Sequence, residues 1–197
     1  MQIAVLAWGS LINYPYSPNT MEELCINKPF IKSGLFFPVA LTRIENRGKP
    51  KEKLSLVIDP KGIPTPIFYA PHTFKNLGKA IKNLKDREST QLGNIGYYNL
   101  VNGRYRTRNL DLLPQIKKFL YNNHFDIAIW TDTPPNLKFS PMYNRDEWIQ
   151  KFLLGRIKRL YNTQEYLKMV PKEVQTMPMY RRILEGKLIN VKRTKRI

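Results

Sequence analysis

The hydrophobic positions that begin at residue 74 recur at the spacing of one helical face, and that face ends in an acid. Its apolar members are Phe74, Leu77, Ile81 and Leu84. At 3.6 residues per turn, the next position on this face is Glu88. The opposite face carries lysines, and Thr73 can cap the helix. The pattern therefore predicts an amphipathic helix that directs a carboxylate toward the interior.

Two interpretations of Glu88 follow from this pattern. If the helix continues through it, burial raises the pKa of the carboxyl toward the range that is useful for proton transfer. If the helix frays after Leu84, Glu88 lies in solvent beside Lys85 or Arg87. The packing of the helix decides between a general acid/base and a surface charge.

Short apolar runs, rich in β-branched and aromatic residues, predict strands elsewhere in the chain. They cover residues 3–8, 36–44, 54–58, 66–70, 95–101 and 126–131, and Asn102-Gly103 predicts a hairpin turn. The other predicted helices cover residues 21–26, 112–119, 145–154, 161–169 and 174–184. Helices that accompany a strand-rich core indicate an α+β fold with a helical C-terminal part.

The first predicted strand ends in the loop Trp8-Gly9-Ser10-Leu11. Glycine permits a sharp turn there, so successive backbone N–H groups can point at one anion or carbonyl oxygen. A Gly-Ser pair is also common at the end of any strand. The loop is therefore a candidate binding element that needs a second group beside it.

Composition indicates one domain over residues 1–185, followed by a basic tail over 186–197. The single cysteine, Cys25, excludes an intramolecular disulfide framework, and we interpret it as a buried thiol on the predicted helix at 21–26. With only His72 and His124 besides, we expect no metal site. The chain shows neither a signal sequence nor an apolar stretch of membrane-spanning length. We therefore expect a soluble cytoplasmic protein.

The net charge of +18 is the most unusual bulk property. Such a charge attracts nucleic acid or an anionic membrane surface. The alternative is that the charge is spread over solvated faces, since the basic residues do not form one block and no nucleic-acid-binding signature is present.

Several segments together resemble a bacterial branch of the gamma-glutamylcyclotransferase-like superfamily. They are VLAWGSLIN, FPVALTRIENRGKPKEKLSLVIDPKGIPTPIFYA, LKDRES followed by IGYYNL, AIWTDTPPN and VQTMPMYRR. The resemblance implies a mixed β-barrel with flanking helices, and the cyclisation of a gamma-glutamyl amine or peptide to 5-oxoproline without a cofactor or metal. It assigns the general acid/base to Glu88 and the binding of substrate oxygens to the loop of Trp8, Gly9, Ser10 and Leu11. Two residues depart from the family pattern: Trp8 replaces a tyrosine, and Ser89 replaces a glycine that usually follows the glutamate.

Three further polar residues are candidates for the walls of such a site. Arg43 can point into the cavity and bind a substrate carboxylate, or it can form a structural ion pair with Glu45 or Asp59. Asp132 and Asn136 follow a buried strand, where binding residues often collect. The competing hypotheses are a basic protein that binds nucleic acid or another anionic partner without turnover, and a family member that has kept its pocket but lost catalysis.

Overall fold

The computed structural model describes residues 1–13, 16–17, 22–138 and 144–188. The strands of this part are β1 (Ile3–Ala7), β2 (Tyr16–Ser17), β3 (Glu22–Glu23), β4 (Ile31–Glu45), β5 (Lys53–Ile58), β6 (Ile63–Pro71), β7 (Ile95–Asn99), β8 (Tyr105–Arg106) and β9 (Ile127–Thr131). Its helices are α1 (Leu77–Arg87), α2 (Leu113–Asn122), α3 (Arg145–Leu154), α4 (Ile157–Lys168), α5 (Lys172–Gln175) and α6 (Pro178–Leu184). The predicted α+β class is confirmed.

Seven of these strands form one mixed sheet in the order β5-β4-β6-β1-β9-β7-β8. The central strand β1 is parallel to β9 and antiparallel to β6. The two edge strands, β5 and β8, do not pair with each other, so the described sheet is open. The resemblance implied a barrel, and closure of such a barrel is not seen in this part of the chain.

Alternation along β1 divides the core into two layers. Ala4, Leu6 and Trp8 contribute to the layer that α2, α3, α4 and α6 cover. Ile3, Val5 and Ala7 contribute to the layer on the opposite face, which α1 covers with Ala80, Ile81 and Leu84. Every residue of β1 is buried, as expected of a strand that is covered on both faces.

Helix α1 begins later than the sequence pattern predicted. Its N-cap is Asn76, whose side chain accepts a hydrogen bond from the Lys79 backbone N–H at 3.0 Å. Thr73 donates its hydroxyl to the Cys25 carbonyl instead, and the Phe74 N–H donates to His72. Because Thr73 and Phe74 are engaged in these bonds and Asn76 supplies the N-cap, the helix starts at Leu77.

The helix predicted over residues 21–26 is wrong over its described part. Glu22 and Glu23 form β3, and Ile26 makes an isolated bridge to His72. Cys25 therefore lies in extended chain, half buried, and its N–H donates to the side chain of Asn83 on α1. Of the predicted tail, residues 189–197 lie outside the described residues. No helix in the described ranges has the length and apolarity needed to cross a bilayer.

Candidate active site

A cavity of about 570 Å³ opens where several elements of the sheet end. The loop after β1 and the residues after β9 form one side, at the carboxyl ends of the two parallel strands. The end of β4, the start of β5, the C-terminus of α1 and helix α4 form the rest. The cavity therefore lies at the edge of the sheet where loops can present polar groups to a ligand.

Glu88 lines this cavity at the end of α1. Its side chain is 22% exposed, and one carboxylate oxygen accepts a hydrogen bond from the neighbouring Arg87. Burial raises the pKa of the Glu88 carboxyl; Arg87 and Lys53 oppose this shift and the negative charge of Glu45 adds to it. The structure agrees with the first of the two interpretations of Glu88, since the side chain points into the cavity and is mostly buried. A carboxyl with a raised pKa in such a place can take up and release protons.

The end of α1 explains how Glu88 is presented. Glu88 is the C-cap, and Ser89 after it adopts the left-handed conformation, with φ of 50°. The Ser89 N–H donates to the backbone carbonyl of Asp86 at 3.1 Å, and the Thr90 N–H donates to the backbone carbonyl of Lys85 at 3.1 Å. These two bonds are the pattern of a Schellman motif. Serine thus occupies here the conformation that favours glycine, and the helix still ends at the glutamate.

The loop after β1 lines the same cavity as Glu88, through Trp8, Gly9, Ser10 and Leu11. Trp8 anchors the loop, since its side chain is 5% exposed and its indole N–H points at the Leu56 carbonyl at 3.4 Å. Within the described residues, the backbone N–H groups of Ser10 and Leu11 donate no hydrogen bond. They therefore remain available to an oxygen of a ligand.

Tyr166 of α4 also lines the cavity, and no pattern in the sequence marked it as a site residue. Its hydroxyl accepts a hydrogen bond from the Leu56 N–H at 3.2 Å and donates none to a described residue. Burial, with a smaller contribution from Glu45, raises the pKa of Tyr166, so the hydroxyl keeps its proton and can donate it to a ligand. In sequence, Tyr166 is one of several apolar positions on an ordinary helix.

Arg43 lines the cavity, and neither of the predicted ion pairs forms. Asp59 is bound by Arg145 and Thr42 instead, and Glu45 pairs with Lys53 at 3.4 Å. Arg43 donates to the Pro134 carbonyl at 3.0 Å, and burial lowers its pKa. Among described residues that is its only hydrogen bond, so the guanidinium has further N–H groups for a ligand.

Three more polar side chains of the cavity were not identified from sequence: Glu45, Lys53 and Ser55. The Ser55 hydroxyl is buried and has no hydrogen-bond partner among the described residues. A buried polar group of this kind normally has a partner, and a ligand in the cavity would supply one. All three lie on β4 and β5, where only the pairing of the strands brings them to the site.

Asn136 and Asp132 do not line the cavity. The Asn136 side chain accepts a hydrogen bond from the Ile44 N–H at 2.6 Å and donates one to the Ile44 carbonyl at 3.1 Å. It therefore satisfies both backbone groups of Ile44 on β4, as a neighbouring strand would. Asp132 is 3% exposed and accepts hydrogen bonds from the Arg108 backbone at 2.6 Å and from Asn109 at 3.1 Å. In the structure both residues hold the loop after β9 in place.

Neither histidine nor the cysteine lines the cavity. In the part of the chain that the structure describes, no group of three or more histidine, cysteine, aspartate or glutamate side chains is arranged to hold a metal ion. Glu88, Glu45 and the three cations Arg43, Lys53 and Arg87 are thus the charged groups around this cavity.

Comparison with known proteins does not assign the chain to a family. No protein-family model matches it, and neither does any curated protein or solved structure.

Proposed function

We propose that the protein is a gamma-glutamylcyclotransferase-like enzyme that releases an amine from a gamma-glutamyl amide and forms 5-oxoproline. One observation carries the proposal: Glu88 lines the same cavity as Ser10 and Leu11, whose backbone N–H groups donate no hydrogen bond within the described residues. The proposal includes the assignment of the fold to the gamma-glutamylcyclotransferase-like architecture. It is supported by the order of the two site elements along the chain, in which the glycine-containing loop after β1 comes first and the glutamate at the end of α1 follows.

The proposed reaction forms one bond and breaks one. The α-amino nitrogen of the substrate attacks its own γ-carbonyl carbon and closes a five-membered lactam, and the bond from that carbon to the leaving nitrogen then breaks. One proton must move from the attacking nitrogen to the leaving nitrogen. Glu88 performs both transfers, since a carboxyl whose pKa is raised by burial accepts the first proton and readily gives it up again.

The remaining groups of the cavity match the other needs of this reaction. Negative charge develops on the γ-carbonyl oxygen as the lactam closes, and the N–H groups of Ser10 and Leu11 together with the Tyr166 hydroxyl are the donors for it. The unused N–H groups of Arg43 suit the α-carboxylate of a glutamyl group. Each step is an acyl or proton transfer between the substrate and side chains or amides of the chain.

The test is a screen of gamma-glutamyl amines and peptides for 5-oxoproline, detected by mass spectrometry. For a substrate that the wild type turns over, Glu88→Gln should lower kcat by about 100-fold or more, which is the usual contribution of a general acid/base. Asp86→Asn is the matched control, because Asp86 is a carboxylate on the same helix turn, is paired with Lys82 and Lys85, and does not line the cavity. It should keep kcat within about twofold.

Equal rates in the wild type and Glu88→Gln would refute the assigned role of Glu88. Failure of the whole panel to yield 5-oxoproline would refute the reaction itself. Binding without turnover, seen as thermal stabilisation by a gamma-glutamyl compound, would instead indicate a pocket that has lost catalysis.

A further inference from the structure

A second surface, on the outside of the molecule, combines exposed cations with exposed apolar side chains. It is formed by the loop between β4 and β5 and by the first turns of α4. Its cations are Arg47, Lys49, Lys51, Arg156 and Lys158. Its apolar members are Ile157 and Tyr161, which are 86% and 59% exposed. We call these seven residues the basic apolar face.

Hydrogen bonds and an ion pair fasten the two segments to each other. Asn162 of α4 donates to the carbonyls of Pro50 at 3.1 Å and Glu52 at 3.0 Å. Arg159 pairs with Glu52, which is 5% exposed. Because these contacts fix the loop beside the start of α4, the cations of the loop and the apolar residues of the helix belong to one surface.

The positive charge of this face is not neutralised by its neighbours. The segments 46–51 and 153–164 contain no aspartate or glutamate. Among the described residues, none of the five cations makes an ion pair. The acids that adjoin these segments in sequence each pair with a cation outside the face: Glu45 with Lys53, Glu52 with Arg159 and Glu165 with Lys168. The face therefore presents an uncompensated positive potential to any partner.

Ile157 distinguishes this face from an ordinary basic surface. It stands between Arg156 and Lys158 at the first position of α4, and almost all of its side chain is in water. Tyr161 follows one turn later on the same helix. Single exposed apolar residues are common, but an aliphatic residue and a tyrosine within a cluster of exposed cations match the composition of interfacial membrane-binding segments. Of these cations, Arg47 also donates a hydrogen bond to the Asn136 carbonyl at 3.3 Å.

We propose that the basic apolar face docks on the surface of an anionic phospholipid bilayer. The five cations would face the lipid phosphates, and Ile157 and Tyr161 would enter the headgroup region, where an aliphatic chain and an amphipathic ring are both favoured. The structure favours lipid over nucleic acid for two reasons. Single strands are bound by base stacking, for which isoleucine has no ring and the face supplies only Tyr161. Duplexes are bound through their phosphates, which leaves the exposed Ile157 in water, whereas a bilayer buries it.

The test is flotation of the full-length protein with vesicles of phosphatidylcholine alone and of phosphatidylcholine mixed with phosphatidylglycerol. We expect at least about tenfold tighter binding to the anionic vesicles, and loss of most of that binding at high salt. Lys49→Glu/Lys51→Glu and, separately, Ile157→Ser should each weaken binding by about tenfold. All of these positions are exposed, so thermal unfolding should stay at the wild-type temperature.

Matched controls separate this face from the overall charge of +18. Lys75→Glu/Lys79→Glu makes the same change in net charge at exposed positions beside and on α1, which packs on the other face of the sheet. Val101→Ser removes an exposed apolar side chain, 74% accessible, from the turn between β7 and β8. Both controls should bind vesicles as the wild type does.

Three results would overturn the proposal. The first is equal binding to neutral and anionic vesicles. The second is that the control variants weaken binding as much as the variants of the basic apolar face. The third is that single-stranded RNA or duplex DNA binds more tightly than the anionic vesicles and loses affinity in the same variants, which would make nucleic acid the partner.

Discussion

The hydroxyl of Tyr166 lies 3.0 Å from the point that a β-carbon on Gly9 would occupy. This distance joins the loop after β1 to helix α4, two parts of the chain that are far apart in sequence. The hydroxyl cannot withdraw freely, because Tyr166 is buried and accepts a hydrogen bond from the Leu56 N–H. The close approach of the loop to the helix therefore depends on glycine at position 9.

Gly9→Ala should lower the free energy of unfolding by about 1 to 3 kcal/mol, because the added methyl group overpacks the loop against the Tyr166 hydroxyl. Tyr166→Phe removes that oxygen and should recover part of the loss in the double variant, as a double-mutant cycle by chemical denaturation would measure. Gly93→Ala is the control, since nothing lies within 4 Å of its β-carbon position. Additive effects of the two substitutions would contradict the contact.

Ser89→Gly should stabilise the protein by about 1 kcal/mol, because Ser89 has a φ of 50° that glycine adopts at little cost. The Schellman hydrogen bonds are made by the backbone, so the position of Glu88 and any 5-oxoproline activity should be unchanged. Ser89→Ala keeps the unfavourable conformation and should give no such gain. If glycine and alanine change the denaturation midpoint equally, the strain assigned to Ser89 is absent.

Neutral substitutions of Glu45 and Lys53, which line the same cavity, should move the pKa of Glu88 in opposite directions. The negative Glu45 raises this pKa and the positive Lys53 lowers it, so Glu45→Gln should decrease it and Lys53→Gln should increase it. The measurement is a titration of the glutamate side-chain carbons by NMR, with Glu88→Gln to identify the signal. Shifts of the same sign in both variants would show that rearrangement of the cavity, and not charge, controls Glu88.

His72 should make the protein less stable as the pH falls from about 6.5 to about 4. Burial lowers its pKa from 6.5 to about 4, so the unfolded chain binds a proton in this range before the folded protein does. The Phe74 N–H donates to Nδ1, which leaves Nε2 to donate to Asn83, and a second ring proton would oppose the first of these bonds. The stability that the neutral ring provides is thus fully present above pH 6.5, and on the order of 3 kcal/mol is lost by about pH 4.

The measurement is the free energy of unfolding as a function of pH in the wild type and in His72→Gln. Because the carboxylates titrate in both proteins, the difference between the two curves reports His72. His124→Gln replaces the other histidine of the chain and shows the effect of losing a histidine elsewhere. Parallel curves for the wild type and His72→Gln would contradict a lowered pKa.

Local patterns predicted much of this fold because they depend on neighbouring residues. The buried run at residues 3–8, the hairpin turn at Asn102-Gly103 and the helix over residues 145–154 all occur near the predicted bounds. The helix predicted over residues 21–26 failed because β3 and the bridge from Ile26 to His72 supply that segment with long-range backbone partners. Propensity cannot anticipate such partners.

The sequence by itself determined that Glu88 ends an apolar helical face and that a glycine-containing loop follows the first strand, since both are periodic or local features. Only the tertiary structure decided that these two elements line one cavity, that Tyr166 and Ser55 join them, and that Asn136 does not. The physical reason is that the cavity is formed by the pairing of strands and by the docking of α4 on β5, which are tertiary contacts that no local pattern contains. The bond from the Leu56 N–H to Tyr166, for example, joins residues 110 positions apart.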